Sequence, residues 1–392
     1  MAANDIPAIF QRTGDFPQFL QDKILLIRGA KGTGKSLLFR LFVELSAAAR
    51  TLAKPYADLD NVHFVPGHGR AELRGTILTS SDLDSYERQA GVTNWQLFWP
   101  NYALLQICST YSMVNFLPAL DPELVALSKQ EKPLHQDIIA WLVKRALSPT
   151  GGSQVFDELK SIDLWLKDHG QKMWLLYDEL DAGFGQDYSR RRVAIEALFA
   201  WWLDSGSVLK FITPKVLLRE DIWIDLNFTN KGHYTGRSIE LRWDEADLWR
   251  LILRQILSNQ SAELANVLPQ EFGVGLTQLD NSEVEQLRKN LYPLWGERMG
   301  KVNKAYTHNW VRNRITDSRG NRFPRSLIIL LQKAIEIEKN YGVNVVLLIK
   351  SDSSASCTVW CTVHGTGPNR DARHSLVSDE CSAEADFMGK AG

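Results

Sequence analysis

Lys23-Ile-Leu-Leu-Ile-Arg28 runs directly into Gly29-Ala-Lys-Gly-Thr-Gly34-Lys35-Ser36, and Ser36 opens SLLFRLFVELSAAA, which ends at Ala49. The first piece is a short apolar run ended by glycine, the pattern of a buried strand. The last carries apolar residues at helical spacing among good helix formers and predicts a helix over 36–49. The segment between them fits G-x-x-x-x-G-K-[ST], and a strand before it with a helix after it is the context that gives that pattern meaning. Glycines let backbone N–H groups turn inward around an anion, and the helix N-terminus adds the positive end of its dipole. Gly29, Ala30, Lys31, Gly32, Thr33, Gly34, Lys35, Ser36 and Leu37 are therefore the nucleotide-binding candidates. Lys35 is expected to reach the β- and γ-phosphates, and Ser36 to offer its hydroxyl to Mg²⁺.

Further along, Met173-Trp-Leu-Leu-Tyr177 is the clearest strand pattern, and it ends in Asp178-Glu179. Asp178 is the second candidate for Mg²⁺, beside Ser36. Glu179 is the candidate base that orients and activates an attacking water. Carboxylates at the C-terminal edge of a parallel strand lie where α/β sheets bind ligands. The long separation from Lys35 to Asp178 predicts a helical insertion over about 93–150, with Trp95–Arg145 as its main part. Three arginine sites are candidates for charge developing on a γ-phosphate: Arg219 after Lys215-Val-Leu-Leu, Arg325 in Phe323-Pro-Arg-Ser326, and the triple Arg190-Arg-Arg192. For Arg219 an ion pair with Glu220 or Asp221 competes; for the triple a solvated helix face is preferred.

The rest reads as packed α/β structure from about Gln21 to Asn340. A strand is expected at Gly75–Thr79, helices at Tyr102–Val114 and Phe156–Lys167, and a loop at Ser148–Ser153. A helix is expected at Arg192–Leu203. Pro214 removes a ladder donor, so the next strand is expected to start at Lys215, with another at Ser238–Arg242. Helices dominate from Asp247 and end with Arg325–Lys339. Val343–Ile349 is an apolar run. From Ser351 the composition cannot bury enough surface to offset chain entropy, which predicts a disordered or non-native tail. Cys357, Cys361, His364, His374 and Cys381 in it suit a zinc cluster poorly, because no second close pair is present.

Composition narrows the classes. The 392 residues carry 45 Lys+Arg against 46 Asp+Glu, a net charge of −1, which argues against coating nucleic acid by bulk charge. No apolar run reaches the ~18–20 residues of a bilayer span. The N-terminal segment has no signal-peptide pattern. Four cysteines do not make a disulfide framework, so a cytoplasmic location is expected. Thirteen tryptophans are the oddity. Trp201, Trp202, Trp243 and Trp249 read as core, whereas Trp95 and Trp99 are left between packing the insertion and forming a partner surface.

Taken together, Gly29–Ser36, Leu-Leu-Tyr-Asp178-Glu179, Val-Leu-Leu-Arg219-Glu-Asp and Pro324-Arg325-Ser resemble the P-loop ATPases with an additional strand and catalytic glutamate. More narrowly they resemble bacterial ATPases allied to the AAA+ and STAND groups. The resemblance covers about residues 21–340. It implies an α/β, parallel-sheet P-loop NTPase core of strand order 5-1-4-3-2 with a helical insertion and a C-terminal helical lid. The expected domains are a core over 1–245, a lid over 246–350 and a tail over 351–392. It further implies ATP with Mg²⁺ and a nucleotide-driven switch, in bacterial regulation or phage defence, acting through self-assembly or a protein partner. A nucleic-acid-dependent motor or loader is the alternative, and no membrane partner is expected.

Overall fold

The computed structural model describes residues 6–70, 74–111, 120–184, 187–258, 267–299, 305–318 and 320–340. The expectations for Val343–Ile349, the tail and its Cys/His residues lie outside them. The described chain divides into two compact units, one of residues 17–31 with 35–241, the other of the residues up to 16 with 32–34 and 242 onward.

The first unit is built on a five-stranded, all-parallel sheet: β1 (Leu26–Gly29), β2 (Val62–His68), β3 (Lys172–Tyr177), β4 (Ile212–Arg219) and β5 (Ser238–Glu240). The strands lie in the order β2-β3-β4-β1-β5, which counted from the β5 edge reads 5-1-4-3-2. Parallel neighbours need crossover connections. Here these include α1 (Lys35–Glu44) and α2 (Ser46–Ala53) after β1, then α3 (Ser80–Ala90), α4 (Trp95–Thr110), α5 (Pro122–Ser128), α6 (His135–Leu147) and α7 (Gly151–Asp168) between β2 and β3. After β3 come α8 (Tyr188–Leu203) and, beyond β4, α9 (Glu220–Asp225).

Several elements differ from the sequence expectation. The sheet strand begins at Leu26 rather than Lys23, and the single helix over 36–49 is two, parted at Leu45. Gly75–Thr79 is not a strand; Leu78 N–H donates to Tyr102 Oη at 3.0 Å, and Thr79 forms a capping box with Asp82 at the start of α3. The second strand lies earlier, at Val62-His-Phe-Val-Pro-Gly-His68, where Pro66 and Gly67 look like turn residues. Both are tolerated because β2 is the sheet edge, and the register shifts between Pro66 and His68. Gly67 is required there: a Cβ would come within 2.6 Å of the Tyr177 ring.

β4 also runs through Pro214 instead of starting after it. Val216 N–H donates to Leu25 O at 2.8 Å, so its amide faces β1. Two residues back, the proline nitrogen faces the same side, at a level where β1 has not begun, and no ladder bond is lost.

The helices run longer than expected at their N-termini. α4 starts at Trp95 and continues through Pro100, α7 starts inside the expected 148–153 loop, and α8 starts at Tyr188. α4 is apolar nearly all round and buried, as a central helix must be. Trp95 and Trp99 are each 1% exposed, which resolves them as packing residues. Trp99 Nε1–H donates to Ala194 O of α8 at 2.7 Å, and the Trp95 ring meets Tyr86, Phe98 and Phe184.

The second unit is mainly helical: α10 (Glu245–Leu257), α11 (Val267–Glu271), α12 (Val284–Asn290), α13 (Tyr292–Trp295), α14 (Thr307–Arg314) and α15 (Pro324–Asn340). A two-stranded antiparallel ribbon, β6 (Arg298–Met299) with β7 (Ala305–Tyr306), was not expected. Its core gathers Leu248, Trp249, Leu253, Leu279, Leu287 and Leu327. No described helix is long and apolar enough to cross a membrane.

Candidate functional site

In the first unit, β1 ends at Gly29, opposite Arg219 of β4, and α1 begins at Lys35. The first N–H groups of a helix have no intrahelical partner, so the amides of Lys35, Ser36 and Leu37 are free of the helix ladder. Lys35 is 8% exposed and folds back on its own loop, donating from Nζ to Gly29 O at 2.7 Å and Ala30 O at 2.9 Å. Burial pulls its pKa down to about 8, against the opposing pull of Asp178.

Asp178 follows β3 and is 5% exposed. Burial pushes its carboxyl up to about 6, opposed by a hydrogen bond from the Ser36 hydroxyl, by the Glu179 backbone N–H and by the Lys35 charge. Its own N–H donates to His68 O at 3.1 Å, tying the ends of β2 and β3 together. The two candidate sequence elements therefore come together: Ser36 and Lys35 are both close enough to Asp178 to favour its charged form. A pair of oxygens on adjacent elements suits a hard cation that completes its shell from phosphate and water. It does not suit an all-protein metal cage, and among the described residues no group of three or more His, Cys, Asp or Glu converges.

Glu179 points elsewhere. It adopts φ +54°, the left-handed region rarely used by residues with a side chain, and its carboxylate accepts from Arg70 Nε at 2.9 Å. Such a backbone costs on the order of 1 kcal/mol and persists where the surroundings hold it. Arg219 donates from Nε and Nη2 to Asp221 at 3.1 and 2.6 Å and from Nη1 to Asp181 at 3.1 Å. The Asp221 partner is one of the two weighed from sequence; Asp181 is additional. Arg219 still lies near enough to Lys35 to lower its pKa. Of the triple arginine, Arg190 pairs with Asp84 and Glu87 and stacks over Phe184, Arg191 covers Tyr188, and Arg192 sits 3.6 Å from Glu196. The preferred solvated-face reading therefore fails for Arg190, which α3 holds, and fits Arg192, whose side chain is 55% exposed.

In the second unit, residues 32–34 are flanked by two side chains. Gly32 and Gly34 take φ +92° and +94°, conformations that only glycine adopts without strain. The exposed Arg325, second residue of α15, lies across Gly32: a Cβ there would stand 3.4 Å from Arg325 Cβ and 3.8 Å from its Nε. Trp243, read from sequence as core, donates from Nε1 to Thr33 O at 2.9 Å. Of the basic residues at 310–322, Arg312 is engaged with Glu245 at 3.1 Å. Sequence reasoning missed Arg70, Asp181 and the polar contact of Trp243; the only local signal was that Trp243 immediately precedes the Asp244 cap of α10.

No protein-family model matches the chain, and neither a curated protein nor a solved structure matches it.

Proposed function

We propose that this chain binds and hydrolyses ATP·Mg²⁺ as a P-loop switch, coupling turnover to a conformational change or to self-assembly. The observation that carries the reading is the convergence of buried Asp178 with Ser36 and Lys35 at the C-terminal end of the parallel sheet. Residues 142 positions apart share one spot only because β1 and β3 flank β4. Such a pairing of hydroxyl, carboxylate and lysine after a glycine loop suits a nucleotide triphosphate better than any other ligand class.

In this reading the loop amides and Lys35 hold the phosphates, and Lys35 leaves the Gly29 and Ala30 carbonyls to do so. Ser36 and Asp178 would hold the metal, and Mg²⁺ when bound would supply neutralisation of the phosphate charge. Glu179 takes the proton of the attacking water once its carboxylate is released from Arg70. Arg219, near Lys35, is the candidate cation for charge on the γ-phosphate once it leaves Asp181 and Asp221.

The test uses two variants. Lys35→Ala should abolish ATP binding in calorimetry. Glu179→Gln should keep binding while phosphate release falls about 10²–10⁴-fold, the usual worth of a general base. Continued hydrolysis by Glu179→Gln would remove Glu179 from its role, and undiminished binding by Lys35→Ala would sink the reading. Sizing the protein with and without ATP·Mg²⁺ tests the assembly part.

A further inference from the structure

The contact on Thr33 comes from outside the glycine pattern. Trp243 is partly buried against the hydrophobic core of the second unit, so its side chain is held by packing as well as by the loop. Its Nε1–H reaches Thr33 O, and its Cζ2 lies 4.0 Å from where a Cβ on Gly34 would stand. The described chain has no cis peptide bond. In a trans peptide the C=O and the following N–H point in opposite directions. Fixing Thr33 O against the indole therefore turns the Gly34 N–H to the opposite face of the loop. That peptide needs such a hold. Gly34 has no Cβ to restrict its side of that peptide, and it takes φ +94° close to Gly32 at +92°. Successive amides on one concave face are what make an anion nest; one flipped plane replaces a donor with a carbonyl oxygen.

We propose that Trp243 is a positioning residue for phosphate binding, its indole N–H holding Thr33 O outward so that the Gly34 amide faces the phosphate. The proposal rests on the nucleotide-binding reading above. It gives Trp243 a role in affinity for the phosphate chain, independent of the base.

The experiment measures dissociation constants of ATP·Mg²⁺, ADP·Mg²⁺ and inorganic tripolyphosphate for the full chain, for Trp243→Phe and for Lys35→Ala. Phenylalanine keeps an aromatic ring and removes the donor. All three ligands should bind Trp243→Phe more weakly by roughly three- to tenfold, the worth of one neutral hydrogen bond. Tripolyphosphate should weaken as much as ATP. If tripolyphosphate affinity stays within twofold while ATP and ADP weaken, Trp243 contacts the base and the proposal is overturned; unchanged affinity for all three overturns it too. Lys35→Ala separates the two levels. Loss of tripolyphosphate binding there with none in Trp243→Phe removes only the role of Trp243, whereas retention in Lys35→Ala removes the phosphate-loop reading itself. Should Trp243→Phe fold poorly, 3-benzothienylalanine at 243, which exchanges N–H for sulfur in the same outline, must reproduce the loss; wild-type affinity in that protein overturns the proposal.

Discussion

Glu179 and its neighbour Asp178 are adjacent in sequence and opposite in circumstance. Asp178 is buried on Ser36, while Glu179, turned by its left-handed backbone, meets a guanidinium that is more than half exposed. The hydrogen bond from Arg70 keeps the Glu179 carboxylate occupied and so unavailable to an attacking water. Arg70→Ala should therefore raise basal ATP turnover several-fold, read as kcat under saturating ATP·Mg²⁺, with little change in ATP affinity; a fall in kcat would show that Arg70 assists the reaction. At this scale the sequence was informative where chemistry is local. Lys35 and Ser36 are fixed by a contiguous pattern, and Asp178 by the end of an apolar run. The partner of Glu179 was not legible, because Arg70 lies 109 positions away at the far end of an edge strand.

Elements were legible where periodicity is unbroken and lost where one residue had two meanings. Pro214 put the expected strand start at Lys215, and nothing in Pro66-Gly67 marked a strand. The first is absorbed because its nitrogen faces a level where β1 has not begun, the second because β2 is the sheet edge, properties of pairing partners and not of the strand itself. The helices between β2 and β3 are bound by a charge as well as by apolar surface. Arg145 of α6 is 3% exposed and pairs with Glu158 of α7, donates from Nε to Asn101 Oδ1 of α4 at 2.8 Å, and lies 5.6 Å from the centre of the Trp141 ring. Truncating one partner of a buried pair leaves the other uncompensated, so Arg145→Ala should cost about 3–5 kcal/mol. Urea denaturation should show the Arg145→Met, Glu158→Leu double variant losing less than Arg145→Ala. A larger loss in the double would mean that the pair is not the binding element.

Across the whole chain, the two units carry different electrostatic sensitivities. In the second, burial opposes ionisation of Glu245, but hydrogen bonds from Arg288, Trp249 and Arg312 outweigh it and hold its pKa down at about 2, against an ordinary 4.5. A depressed carboxyl pKa contributes stability that is complete above 4.5 and disappears as pH falls towards 2. The contribution is on the order of 2 kcal/mol. Glu245→Gln should thus be the less stable protein at pH 7, and the gap to wild type should narrow as pH falls below 4.5 and close only below about pH 2 in urea titrations followed by tryptophan fluorescence. A gap that persists there would assign the loss to packing. The division near residue 242 coincides with a change in pattern from strand alternation to helical spacing. That residues 32–34 group with the second unit was not readable, since nothing in a glycine loop names its outside neighbours.

The strand order has a consequence for how the chain is made. β1 leaves the ribosome well before its two sheet neighbours, β4 and β5, which span 212–219 and 238–240. β2 and β3 can pair with each other while β1 still waits. The strand that carries the phosphate loop therefore stays without a partner until some 190 further residues have been synthesised, a long-range closure of the kind that slows folding. A nascent chain arrested before β4 would hold the glycine loop and the acidic strand end without the strand that brings them together.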